Sequence, residues 1–190
     1  MRIGVPKETV EGERRVALVP DVVRKLVGQG HEVVVEPGAG AAAGIPDALF
    51  ADAGATLGDG AWQADVVAKV APPQDGEIAA LGTDSVLVGF LAPLTNGAGN
   101  QAVARTGATA FAMEAIPRIS RAQSMDALSS QATVSGYRAV LIAAQEQGRF
   151  FPMLMTAAGT IPPAQVLVHG ADISIGKKRP CSCAAISTAR

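Results

Sequence analysis

Cysteine is nearly absent: the 190-residue chain has two, Cys181 and Cys183, both within its last ten residues. A disulfide framework is thereby excluded, and a reducing, cytoplasmic compartment is the expected home. Aromatic residues make up only 4%, too few for an all-β sandwich, whose faces favour aromatic and β-branched side chains. Neither sign of charge dominates, since 16 Lys and Arg stand against 17 Asp and Glu. No global attraction to nucleic acid or acidic lipid is expected from that balance. Apolar runs such as residues 85–91 fall far short of the ~20 needed to span a bilayer. The start carries charge at Arg2, Lys7 and Glu8 and lacks the apolar core of a signal peptide. The two histidines, His31 and His169, stand at a strand start and a strand end with no second ligand nearby. Cys181 and Cys183 likewise have no partner ligands, so no metal site is expected. A nucleophile elbow and a Ser/His/Asp arrangement are also missing.

What is present is a chain 48% hydrophobic and 17% charged, rich in Ala and Gly, a mix suited to tight helix-on-sheet packing. Short apolar runs at 2–5, 31–36, 65–70, 85–91 and 109–113 predict strands buried on both faces. Helical stretches alternate with them. Pro20-Asp21 opens one whose apolar face is Val22, Val23, Leu26 and Val27, and residues 46–53 form a shorter one with Leu49 and Phe50. The alternation predicts an α/β fold, a Rossmann-like doubly wound parallel sheet. A long helix is expected over 124–147, roughly 35 Å at 1.5 Å per residue. Residues 148–163 then read as a connecting loop, and 165–170 as the first strand of a second lobe. The expected division is a first α/β lobe at 1–123, a linking helix at 124–148, an incomplete dinucleotide-binding lobe at 149–171 and an aberrant tail at 172–190.

Three segments carry polar groups that bear on function. In residues 12–20, GERRVALVP, Arg14 and Arg15 suit forked hydrogen bonds to a carboxylate or phosphate; the alternative is a charged loop before a helix. Residues 36–44, EPGAGAAAG, follow a strand as a phosphate loop would. Their third glycine comes one place late, however, and Pro46 interrupts the helix that would face the phosphates, which makes a turn the better reading. Residues 117–130, PRISRAQSMDALSS, hold two arginines, a glutamine, an aspartate and several serines at a loop-to-helix junction. Gln123, Asp126 and Ser130 are spaced to share a helix face, and Ser120-x-x-Gln123 fits a capping box. Capping uses two of these side chains and leaves the others for recognition of a carboxamide and ribose.

Residues 1–8 (MRIGVPKE) and 13–18 (ERRVAL) resemble the opening shared by alanine dehydrogenases and the α subunit of proton-translocating NAD(P) transhydrogenase. Residues 118–126 (RISRAQSMD), 136–140 (GYRAV) and 157–168 (AAGTIPPAQVLV) resemble the transhydrogenase branch. Alanine dehydrogenases add a lysine in a Val-Lys-Glu-Pro-like stretch and a histidine after Phe-Leu. Those stretches read Val70-Ala71-Pro72-Pro73 and Phe90-Leu91-Ala92-Pro93 in this chain, so the acid/base pair of an amino-acid dehydrogenase is missing. The resemblance implies an NAD(H)-binding, cytoplasmic portion, peripheral to the inner face of the plasma membrane. It would pass hydride to NADP(H) on a partner subunit, with proton translocation through a membrane-embedded part. It also implies a homodimer, no metal and no nucleic acid. Arg118, Gln123 and Asp126 would be the catalytic group by orienting the nicotinamide, with Ile119, Ser120, Arg121 and Ser129 completing the cofactor contacts.

The resemblance covers residues 1 to about 171. The family continues there with Gly-Ala-Gly-Val-Ala-Gly-Leu, whereas this chain has Gly170-Ala171-Asp172-Ile173-Ser174-Ile175-Gly176. Asp172 puts a carboxylate where backbone should approach pyrophosphate, and Ile175 occupies the close-packing glycine position. Lys177-Lys178-Arg179 and the Cys-Ser-Cys run then follow with no continuing pattern. The expectation is a truncated or frame-shifted product, inactive alone, in which either separately encoded parts restore the enzyme or only a non-catalytic first lobe remains.

Overall fold

The computed structural model describes residues 1–167. The expected break between Ala171 and Asp172, His169, both cysteines and the basic run at 177–179 lie outside the described residues. The chain forms two compact units, Met1–Met125 and a second beginning at Asp126.

The first unit is a six-stranded, wholly parallel sheet in the order β3-β2-β1-β4-β5-β6. Its strands are β1 (Arg2–Val5), β2 (Glu32–Val35), β3 (Thr56–Leu57), β4 (Val66–Ala68), β5 (Val86–Gly89) and β6 (Thr109–Ala112). The chain winds outward through β2 and β3, returns to place β4 beside β1, then winds the other way. The order reverses at the β1–β4 junction, the arrangement of a doubly wound Rossmann-like sheet. Five of these strands sit on the five apolar runs. The sixth, β3, has no such run to announce it, because a two-residue exposed edge strand needs no hydrophobic stretch.

The helices of this unit are α1 (Pro20–Gly28), α2 (Asp47–Asp52), α3 (Asp75–Ile78) and α4 (Gly97–Thr106). Pro20 and Asp21 begin α1 as the sequence requires, since proline loses no needed N–H in the first turn and an acid suits the helix N-terminus. Asn96 caps α4 by accepting the Gly99 N–H at 3.3 Å. Two hydrophobic clusters result. Ile3, Val5, Val23, Val33, Val35 and Phe50 form one, and Val67, Ile78, Leu81, Leu87, Leu91 and Val103 the other. The central strands β1 and β2 are buried on both faces, so β2 carries three consecutive valines, all essentially solvent-free. The run at 109–113, expected to be buried likewise, forms the edge strand β6 and is largely exposed, with no further strand among the described residues to cover it.

The second unit contains α5 (Ala127–Glu146) and a hairpin of β7 (Leu154–Thr156) and β8 (Gly159–Ile161). The hairpin corrects the expected loop at 148–163. Its turn holds no Asn-Gly or Asp-Gly signal. Thr156 instead accepts the Ala158 N–H at 3.2 Å and donates to the Gly159 carbonyl at 3.0 Å, with Gly159 at φ 124°. Residues 165–167, the described part of the strand expected at 165–170, form no strand.

The start of α5 also differs from expectation. Residues Ser120–Met125 form a separate 3-10 segment, and the helix is capped by Asp126, whose Oδ1 accepts the Ser129 N–H at 2.9 Å. The Ser120/Gln123 capping box is therefore not used. The carboxylate of Asp126 sits one residue before the helix, where it satisfies a first-turn amide directly. Gln123, Asp126 and Ser130 consequently do not lie along one α-helix.

Candidate functional site

Several exposed polar side chains lie just before α5. Pro117 and Ile119 shape this segment, with the Ile119 N–H donating to the Pro117 carbonyl at 2.9 Å and the Ala122 N–H to the Ile119 carbonyl at 3.0 Å. Ala122 is buried, 5% exposed, while Arg118, Ile119, Ser120, Arg121 and Gln123 are exposed. Ser120 and Gln123 are one turn apart, so their side chains align. Among the described residues, the Arg118, Ser120, Arg121 and Gln123 side chains have no hydrogen-bond or ion-pair partner in this chain. A donor set of two guanidiniums, an amide and a hydroxyl thus remains available, and it fits the carboxamide, hydroxyl and phosphate groups of a nicotinamide dinucleotide. Asp126 and Ser129 belong to the second unit, where they are joined by the cap hydrogen bond. Ser129 is exposed and Asp126 half-buried.

Arg14 and Arg15 have different fates. The Arg15 guanidinium holds Glu13 in a fork, Nε to Oε1 at 2.8 Å and Nη2 to Oε2 at 2.7 Å, and lies 5.9 Å from the Phe90 ring centre. The Arg15 hydrogen bond, opposed by burial, holds the Glu13 carboxyl down at about 2; Glu13 in turn raises the Arg15 pKa. The Arg14 Nε donates to the Ala42 carbonyl at 3.3 Å. In the 36–44 turn, the Gly38 N–H that a phosphate would need is taken by both oxygens of Asp47, at 2.9 and 3.0 Å.

A third constellation lies outside the segments that the sequence singles out. At the C-terminal ends of β1 and β4, Glu8, Lys69 and Glu77 form a buried charged group. Lys69 Nζ lies 2.9 Å from Glu8 Oε2 and 3.2 Å from Glu77 Oε1, with the Lys69 and Glu8 side chains 1% and 4% exposed. The Lys69 ammonium also lies 5.9 Å from the Trp62 ring centre. The legible signal was a lysine inside an apolar strand run, because a buried ammonium requires an anionic partner.

The two positions that separate the branches of the resemblance both hold alanine. Ala71 is buried, and its N–H donates to Glu8 Oε2 at 3.2 Å. The Ala92 N–H donates to Glu114, and Ala92 takes a left-handed backbone with φ 50°, a strained conformation for a residue with a Cβ. Neither side chain can carry a proton.

The model of the family described as alanine dehydrogenase/PNT, N-terminal domain, matches residues 4–135. The first part of the NAD(P) transhydrogenase alpha subunit of Rhodospirillum rubrum is 51% identical over 183 residues, covering 92% of this chain and 48% of that protein. NAD(P) transhydrogenase subunit alpha of Haemophilus influenzae is 46% identical over 176 residues, covering 92% and 34%. Among solved structures, the transhydrogenase of Sinorhizobium meliloti superposes with a TM-score of 0.85 at 45% identity, covering 92% of this chain and 53% of that one. An L-alanine dehydrogenase gives 0.71 at 32% identity, covering 78% and 43%. The chain spans about half the length of the first of these relatives, and about a third of the second.

Proposed function

This chain belongs to the alanine dehydrogenase/PNT N-terminal domain family, and on that basis we propose that it is the NAD(H)-side portion of an NAD(P) transhydrogenase α subunit. The supporting observation is the 118–123 segment, a set of exposed donors with no side-chain partners among the described residues, in a chain 51% identical to such a subunit. The alanine dehydrogenase reading is disfavoured, because Ala71 and Ala92 stand where that branch has its lysine and histidine.

When bound, the nicotinamide dinucleotides supply the chemistry, a hydride passed between NAD(H) and NADP(H). The residues of this chain orient. The Gln123 amide offers a donor and an acceptor matched to a carboxamide, and the Arg118 and Arg121 guanidiniums offer forked donors to oxygen anions. Ser120 adds a hydroxyl, and Ile119 an apolar surface for the ring. Asp126 and Ser129, next along the chain, are assigned to ribose hydroxyls. Their contribution is to hold one face of the ring toward its partner, an orientation effect rather than proton transfer.

In this reading the NADP(H)-binding subunit and the membrane-embedded, proton-conducting part are separate partners, and this portion is cytoplasmic, at the inner face of the membrane. Among the described residues, no helix is long and apolar enough to cross a membrane. A homodimer is part of the proposal and is supported by α5, whose Leu128, Val134, Tyr137, Leu141 and Ile142 are all exposed. A second reading, a non-catalytic first lobe, draws on Asp172 and Ile175 standing where the family has glycines.

The deciding experiment measures NADPH-driven reduction of an NAD analogue in membranes with and without this open reading frame, and with Arg118→Ala or Gln123→Ala. Activity that depends on the frame and falls roughly 10- to 100-fold in either variant supports the proposal. Activity indifferent to the frame leaves the non-catalytic reading. For the 190-residue polypeptide alone, NADH binding is expected to be weaker than micromolar, measured by nucleotide fluorescence.

A further inference from the structure

In a doubly wound sheet, ligands bind in the crevice outside the carboxyl ends of the strands where the strand order reverses. In this chain that place lies between the ends of β1 and β4, and a side chain of the protein itself fills it. Two consecutive amides follow β4. The Val70 N–H donates to Glu8 Oε1 at 2.6 Å and the Ala71 N–H to Glu8 Oε2 at 3.2 Å. The Lys69 ammonium completes the set at 2.9 Å from Oε2. Successive amides beside an ammonium are what an anion site is made of.

One ammonium also faces a second carboxylate, Glu77, so Lys69 alone does not balance the charge. Neutral donors stabilise the excess negative charge. Glu77 Oε1 accepts from Thr9 Oγ1 at 2.9 Å, and Oε2 accepts the Gln74 N–H at 2.7 Å. Every carboxylate oxygen of the group has a donor, which is the condition for keeping such a cluster buried.

We infer that Lys69, Val70 and Ala71 form an anion cradle at the switch point of the sheet and that the Glu8 carboxylate is its built-in ligand. The first unit is therefore closed to an external anion at the position where its fold would otherwise hold one. Emptying the cradle creates a site for a small monocarboxylate. Glu8→Ala keeps Cβ and removes one methylene and the carboxylate, a fragment the size of acetate. This inference concerns the first unit alone and holds whether or not the proposed hydride transfer does.

The test is thermal unfolding of the full chain in sodium acetate and in sodium chloride of equal ionic strength. Glu8→Ala is expected to melt roughly 10 °C below the wild type in chloride, because one partner of a buried pair is gone. Acetate then raises its midpoint along a saturating curve, as a ligand of the native state does, and leaves the wild type unmoved. Glu8→Gln, whose side chain still fills the cradle without charge, is destabilised and not rescued. Lys69→Met in the Glu8→Ala background abolishes the rescue. If Glu8→Ala is recovered only by refolding, its soluble yield in acetate against chloride is the readout. Acetate and chloride acting alike on Glu8→Ala, or acetate stabilising wild type and variant equally, overturns the inference.

Discussion

Arg15 illustrates how a residue's surroundings settle what its chemistry can do. A guanidinium next to a strand end suits an external carboxylate, but Glu13, two residues away, takes its fork at 2.7 Å. The fork keeps the Glu13 carboxyl at about 2 in the folded chain, against 4.5 ordinarily. A carboxyl with a depressed folded-state pKa adds stability that is complete above the unfolded value and is lost as pH falls through the folded one. The stability gap between wild type and Glu13→Gln is therefore expected to be constant above pH 4.5 and to shrink steadily towards pH 2. Urea midpoints measured across that range check it, and a gap independent of pH contradicts it. The 118–123 segment was legible because its four polar side chains, Arg118, Ser120, Arg121 and Gln123, exceed what a helix start needs. Of the Glu8–Lys69–Glu77 group only the lysine within an apolar run was legible, since its two partners are scattered along the sequence and only folding brings them together.

At the scale of elements, five strands followed the apolar runs, most plainly β1 and β2, where burial on both faces leaves no alternation to misread. What the runs do not report is how closely the connections approach the sheet. Gly4 in β1 lies under the 3-10 turn Gly60–Gln63 so closely that a Cβ there would stand 1.8 Å from the Ala61 carbonyl oxygen. That oxygen is backbone and cannot swing away, so Gly4→Ala forces β1 or the turn to move. The expected cost is about 3 kcal/mol or more, a fall in melting midpoint of roughly 6–12 °C. A midpoint within a degree of wild type would show that the turn yields freely. The hairpin β7–β8 and the cap at Asp126 were illegible for a related reason. Both depend on side chain-to-backbone hydrogen bonds that several residues of the segment were equally able to make.

At the scale of the whole molecule, the apolar side chains of the described residues are divided unevenly. Both hydrophobic clusters found there lie in the first unit, while in α5 only Gly136 is buried. A helix that is apolar on several sides and left uncovered opens locally at little cost. In a monomeric sample, α5 amides are thus expected to exchange by local opening, several hundredfold or more faster than amides of β1, β4 and β5, which require global unfolding. Raising the concentration should protect α5 as the mass rises to a dimer, read by light scattering and hydrogen exchange on the same samples. Protection of α5 equal to that of β5 in a monomer would contradict the account.

The sequence by itself determined the class of fold, since apolar runs alternating with helical stretches leave a parallel, doubly wound sheet as the arrangement that buries both faces of its central strands. It also marked where exposed donors lie, because four polar side chains among the six residues 118–123 cannot all be buried. Tertiary structure decided which charged groups are spent internally: Arg15 on Glu13, the Gly38 amide on Asp47, and the switch-point amides on Glu8. Those pairings join residues up to 63 positions apart. Their formation depends on strand order and on the distances it sets, quantities that a linear pattern of hydrophobicity does not contain.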